Sequence, residues 1–457
     1  MESWIFLHMS IEWWVERWIS NYKQVFDAWE DGGVRGLAVG RLRFQQEDGS
    51  FVRAFAPDAK IYEAFGLAPP PEEPREPEKE KKLHEILDNA AARGWEIMIF
   101  DVPGGGKRLV EEEDPYNETL LAAGTQDVLN AFPQASGVIL DGPGEQHYEL
   151  AWHHGGKLFE LRPHERELFG RLGCDIDRME AGIAHLQKRC QSLTPDLVRY
   201  HSRGGTLAGL LLFDIDENGL YWLRARQEAA SGSMAAARRA VDRVDKPVKL
   251  GGIPRITTFS SLTGQNYQQM PQHFDYIFPK HYYWHRGFDG MYGTIQRWVQ
   301  KFAEWNPSLT EPDCFQLIES LFGLQLPNVS TLLDLERGFP EEFFTKVVYG
   351  ETRRALAAIG DVDKTIFWVS TGRYPHAGDA MPARDLQGIL QATKDGGGKR
   401  ILFHPDPEIG APEWHVLSRM CGNPWREDPD GYWPGDTWRE DVEGYGAHFQ
   451  TSKSKVS

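Results

Sequence analysis

Eight short apolar runs recur along this chain, each long enough for one strand: Trp4 to Met9, Gly36 to Leu42, Trp95 to Phe100, Gly137 to Leu140, Val248 to Ile253, Tyr276 to Lys280, Thr365 to Ser370 and Arg400 to His404. Between them lie segments with helical spacing. The clearest is the stripe Ile11, Trp14, Val15, Trp18, Tyr22, Val25, Phe26 and Trp29, ended by Gly32 and Gly33. A strand, a helix and a second strand in that order form a parallel unit, and eight such strands predict a (β/α)8 TIM barrel with helical and loop insertions. At 457 residues and 41% hydrophobic content the chain can bury such a core as one domain.

The remaining segments attach to that frame. We expect the barrel to occupy residues 1–422, with insertions at about 43–82, 150–217 and 305–350, and a C-terminal extension over 423–457. Arg43 to Phe55 alternates around Asp48-Gly49, a hairpin signal, and Ala68 to Lys82 is rich in Pro, Glu and Lys and reads as an exposed excursion. Helices are expected over Leu83 to Arg93, Tyr116 to Phe132, Asp175 to Gln191, Gly219 to Val244 and Ala383 to Thr393, with Pro412 in the first turn of the last one. Leu207 to Glu217 reads either as a strand ending in carboxylates or as a buried helical connection. The strand count favours the helix, because the barrel is already complete without it.

A net charge of −17 repels nucleic acid and anionic membranes, so the expected partner is a neutral or cationic small molecule, with neither nucleic acid nor membrane involved. Cys174, Cys190, Cys314 and Cys421 are widely spaced without a CxxC pair and read as buried thiols of a reducing compartment. No basic leader and no apolar run of the ~20 residues needed to span a bilayer is visible, which gives a cytoplasmic expectation.

In a parallel barrel the chemistry sits at the carboxyl ends of the strands. The fourth run, Val-Ile-Leu, stops at Asp141, and Gly142, Pro143 and Gly144 break regular structure before Glu145, Gln146 and His147. Asp141, Glu145 and Asp101, which ends the third run, are the candidate catalytic carboxylates. The competing reading of Asp141 is a residue that caps a turn, since Asp-Gly is a common turn pair. The two glycines would let Glu145 swing over the mouth. Pro-Lys-His-Tyr-Tyr-Trp-His-Arg, residues 279–286, combines three adjacent aromatics with cations and imidazoles, which suits stacking on a sugar ring. Candidate substrate contacts are therefore His8, Arg41, His147, Lys280, His281, Tyr283, Trp284, His285, Arg373, His404 and Asp406.

Other chemistries have weaker support. Val-Pro-Gly-Gly-Gly-Lys107 lacks the GxxxxGK[ST] pattern, Trp-His-His-Gly-Gly156 has no HExxH beside it, and GxSxG is missing, so neither metal nor cofactor is expected. Paired carboxylates framed by aromatics are what glycosidic cleavage needs. On Val-Ile-Leu-Asp141 and Phe-Asp-Tyr-Ile-Phe-Pro-Lys280 the chain resembles (β/α)8 glycoside hydrolases, in particular uncharacterised bacterial barrels regarded as hypothetical glycosidases. That resemblance implies a nucleophile at Asp141 and a distant candidate acid at Asp289, acting on an oligosaccharide or glycoside. It departs from the common pattern of a glutamate after the seventh strand, where Ser370 and Arg373 stand. The alternatives are a non-catalytic carbohydrate-binding barrel and a metal-assisted hydrolase, lyase or isomerase on the same fold. A homo-oligomer is compatible with each.

Overall fold

The computed structural model describes residues 1–7, 21–45, 50–100, 114–150, 158–283, 290–370, 381–405, 409–428 and 431–434. Strand β1 (Glu2–Leu7) pairs in parallel with β2 (Val34–Val39), β2 with β3 (Glu96–Phe100), β3 with β4 (Gly137–Asp141) and β4 with β5 (Lys249–Ile253). Strand β6 consists of two short pieces: Tyr276–Ile277 pairs with β5, and Lys280–His281 pairs with β7 (Phe367–Ser370). Strands β7 and β1 both pair with β8 (Arg400–His404). Pro279 divides β6 because it has no N–H to donate. The backbone still serves both neighbours: Phe278 N donates to the Gly252 carbonyl at 2.8 Å, and the Pro279 carbonyl accepts from Trp368 N at 2.9 Å. The ring of eight parallel strands is therefore closed, a (β/α)8 barrel with inserted helices and loops.

Register decides which side chains enter the barrel. Paired residues in neighbouring parallel strands face the same way, and alternate residues point inward. Trp4 and Phe6, Met98 and Phe100, Ile139 and Asp141, Gly251 and Ile253, Tyr276, Phe278 and Lys280, Trp368 and Ser370, and Leu402 and His404 share the inner face. Large and small residues are matched there: a Cβ on Gly251 would lie 2.7 Å from the Phe278 ring, so glycine at that point is what lets the ring fill the interior. Lys249 closes the amino-terminal end, its Nζ 2.8 Å from Glu96 and 3.2 Å from the Tyr276 hydroxyl.

The segments around the barrel agree with the sequence in kind and differ at their edges. Arg43–Gln45 and Phe51–Arg53 form an antiparallel hairpin, and residues 68–74 are largely exposed. The helix expected from Leu83 already starts at Pro77, whose fixed φ suits the first turn. Met291–Trp305 is a helix that was not anticipated; its buried stripe is Tyr292, Ile295, Trp298, Val299 and Phe302. Gly205–Phe213 is helical, but it is not the buried connection expected: Leu212 and Phe213 are buried while Leu207 and Leu211 stand in solvent. None of the four cysteines is in a disulfide; Cys190 and Cys314 are buried, Cys174 and Cys421 only partly so. Among the described residues no helix is long and apolar enough to cross a membrane.

Candidate functional site

Asp141 is the last residue of β4 and points into the carboxyl-terminal mouth. Its Oδ1 lies 3.0 Å from Lys280 Nζ, and its side chain is 49% exposed while that of Lys280 is 5% exposed. The lysine comes from β6, directly after the proline that splits the strand. Burial pulls the Lys280 pKa below its usual value, Arg255 pushes the same way, and Asp141 and Glu145 oppose them. The mouth therefore holds a desolvated ammonium whose charge depends on its carboxylate neighbours.

Glu145 forms the second ion pair, its Oε1 accepting from Arg255 Nε at 2.8 Å. Burial works against the charge of Arg255, yet Glu145, Tyr148 and Asp141 outweigh it and hold the guanidinium firmly protonated. The loop does not leave Glu145 free to swing, as the two glycines had implied. Gly142 N donates to the Ile253 carbonyl at 3.0 Å, Glu145 N to the Gly142 carbonyl at 2.9 Å and Gln146 N to the Thr263 carbonyl at 2.9 Å. Buried Arg226 donates to the carbonyls of His147 and Leu262, tying the loop to a distant segment. Gly142 has φ +56, and a Cβ there would stand 2.7 Å from Glu145 Oε2. Glycine at this turn is thus a requirement of the Glu145 position rather than a source of mobility.

A third group lies across the mouth. The Tyr282 hydroxyl is 3.3 Å from His404 Nδ1, and Trp368 Nε1 donates to the same nitrogen at 3.4 Å. An indole N–H only donates, so Nδ1 is the acceptor and the neutral ring carries its proton on Nε2. Phe6 packs edge-on against His404 and Trp368 with centroids 4.7 and 4.8 Å away. Lys280 Nζ, 5.7 Å from the Tyr282 ring centroid, joins this aromatic side to the charged side. The result is two carboxylates and two cations at one end of the barrel, backed by a buried Tyr-His-Trp layer in which Tyr282, His404 and Trp368 are each 4% exposed or less, so His404 packs behind the mouth and Asp141 is the half-exposed carboxylate.

Two expected contacts require correction. His281 and Tyr283 alternate with Lys280 and Tyr282, so they face the helices rather than the mouth. His281 is 1% exposed, packs on Phe367 at 4.4 Å and places Nδ1 3.3 Å from Thr393 Oγ1; burial drives its pKa down to about 3. Tyr283 is fully buried against Phe343. His147 is half-buried, and Arg41 is exposed beyond the end of β2. His8, Asp101, Trp284, His285, Asp289, Arg373 and Asp406, and the motifs at 102–107 and 152–156, lie outside the described residues. Arg255 and Tyr282 were missed, although counting by twos from Gly251 and from Phe278 reaches both. No group of three or more His, Cys, Asp or Glu suited to a metal ion occurs among the described residues.

No family model and no curated protein sequence matches the chain. Among solved structures it is similar to the glycoside hydrolase domain of PgaB (BpsB) from Bordetella bronchiseptica, at 10% identity over 93% of this chain and 100% of that one, with a TM-score of 0.46. It is also similar to a GH18 chitinase from Pseudoalteromonas aurantia, at 8% identity over 89% and 94%, TM-score 0.36. A third is the β-galactosidase from the psychrophilic Marinomonas ef1, at 10% identity over 92% of this chain and 58% of that one, TM-score 0.43.

Proposed function

We propose that this chain is a glycoside hydrolase acting on a neutral oligosaccharide or glycoside, with Asp141 as the carboxylate that attacks or stabilises the developing cationic sugar. One observation carries the reading: a half-exposed carboxylate stands at the end of a strand in the mouth of a closed barrel, with an ammonium 3.0 Å away. Lys280 favours the ionised form of Asp141, the form needed beneath an oxocarbenium-like transition state. The described carboxylates at the mouth are matched by Arg255 and Lys280, which suits an uncharged ring more than a polyanionic glycan. Trp368, Phe6, Tyr282 and His404 are buried and back this end of the barrel as a packed layer, which leaves half-exposed Asp141 to meet the sugar. Glu145, committed to Arg255, shares the candidacy for proton donor with Asp101.

The test is a screen of aryl glycosides and natural oligosaccharides with product analysis. An activated leaving group needs no proton, so loss of the acid should spare dinitrophenyl glycosides and abolish cleavage of unactivated ones. Glu145→Gln and Asp101→Asn, compared on both substrate types, assign the donor. A second reading, a lyase forming an imine on Lys280, is favoured by that lysine's burial and lowered pKa. Borohydride inactivation dependent on a carbonyl substrate, absent in Lys280→Met, would select it over hydrolysis.

A further inference from the structure

The helix Gly205–Phe213, reading Gly-Thr-Leu-Ala-Gly-Leu-Leu-Leu-Phe, is apolar on every side and yet only one side is covered. Leu212 and Phe213 are buried, and Gly209 approaches the Ser320 carbonyl. On the other side Leu207 is 76% exposed, Leu211 64% and Leu210 36%, and Tyr200 on the preceding helix is 83% exposed. Positions 207, 210 and 211 are one turn apart and make a single ridge. A helix apolar all round belongs in a core, and scattered leucines of this exposure are ordinary only when they do not adjoin.

We infer that this ridge is the contact of a symmetric dimer, its occupant the same helix of a second copy. Charge gives the orientation. Exposed Arg203 precedes the helix and exposed Glu217 follows it, whereas Arg199 and Asp214 are engaged within the chain by Asp313 and His185. A two-fold axis passing beside Leu210 runs the two helices antiparallel, so the cationic end of each meets the anionic end of the other, and the leucines of both copies interleave between them. A parallel pairing would place like charges together. The area fits as well: a patch of a few hundred Å² is about the most a monomer leaves exposed. Two of them with their charged rims approach the ~1,000 Å² that a specific interface requires. A lipid surface is disfavoured by the net charge of −17.

Sedimentation velocity on the full-length protein between ~1 and ~100 µM tests this at concentrations where a dimer of modest area forms. The expected result is a concentration-dependent dimer. Leu207→Glu with Leu211→Glu should raise its dissociation constant more than ~100-fold with thermal unfolding unchanged. Arg203→Glu alone and Glu217→Arg alone should each weaken it about threefold at low salt, and the two together should restore it, because in the antiparallel pairing these residues face each other across the axis. The charge swap keeps the inference testable if the leucine variant misfolds. A chain that stays monomeric throughout, a dimer indifferent to the leucine changes, or charge effects that add without rescue would overturn it.

Discussion

Asp141→Asn separates chemistry from packing at this mouth. The amide keeps the shape and an oxygen for Lys280 Nζ, now 3.0 Å from Oδ1, and removes only the charge. Stranding a fully buried cation costs ~3–5 kcal/mol. Here the Asp141 side chain is half in solvent and Glu145 still acts on Lys280, so the discounted loss is about 1–2 kcal/mol, or roughly 1–4 °C in Tm. The pH dependence has a definite sign. The folded pKa of Lys280 already lies below 10.5, and losing Asp141 lowers it further. The folded variant thus binds this proton more weakly than the unfolded chain does. Its penalty is full near neutrality, shrinks as pH rises through the lowered folded value and vanishes above 10.5. The Tm gap between wild type and variant should therefore be wider at about pH 7 than at about pH 10. Turnover of an aryl glycoside should fall by at least ~10³-fold in the folded variant. Retained turnover, within about tenfold, would show that Asp141 only shapes the loop and would remove it from the reaction.

Three further changes probe the placements around it. Gly142→Ala combines a positive φ with a clash on Glu145, so it should cost about 1–2 kcal/mol and lower kcat by displacing the Glu145–Arg255 pair; unchanged Tm and kcat would mean that the turn adapts. The Tyr283 hydroxyl is buried with no hydrogen-bond partner among the described residues, so Tyr283→Phe should leave KM unchanged and hold or raise stability by up to ~1 kcal/mol, whereas a rise in KM would return Tyr283 to the substrate. His281, neutral down to about pH 3 in the fold, takes up a proton near its ordinary value of 6.5 when unfolded, so stability should be full above that pH and fall by up to ~1.4 kcal/mol per unit on acidification towards 3. Urea titrations of wild type and His281→Leu between about pH 7 and 4 read this directly, and equal slopes would refute it.

The frame was legible because its signal is local. A buried strand announces itself in a handful of adjacent apolar residues ended by a turn, as Val-Ile-Leu-Asp-Gly does at β4, and nothing distant is needed to see it. The site was legible only as far as strand periodicity was carried past the strand. Grouping Lys280, His281, Tyr283 and Trp284 by adjacency mixed two faces; alternation from Phe278 puts Lys280 and Tyr282 in the mouth and His281 and Tyr283 among the helices. The partner of Glu145 was harder to find, since Arg255 meets it only through the pairing of β4 with β5. The stiffness of the 142–148 loop had no local signal at all, being imposed by Thr263 and Arg226.

Gly205–Phe213 shows the opposite failure. Residues 207–217 left strand and helix open, and only the strand count favoured a buried helix; a uniformly apolar helix has no polar face by which the sequence could mark its outer side. The marks are instead beyond its ends, in exposed Arg203 before it and exposed Glu217 after it. Some of the charges near these ends serve the monomer, since Arg199 pairs with Asp313, Asp214 with His185, and Glu217 lies in the first turn of the next helix, where it suits the macrodipole. Arg203 and Glu217 face each other when a second, antiparallel copy is placed on the ridge. The same leucines then move from solvent into an interface, and the apolar sequence and the exposed position cease to conflict.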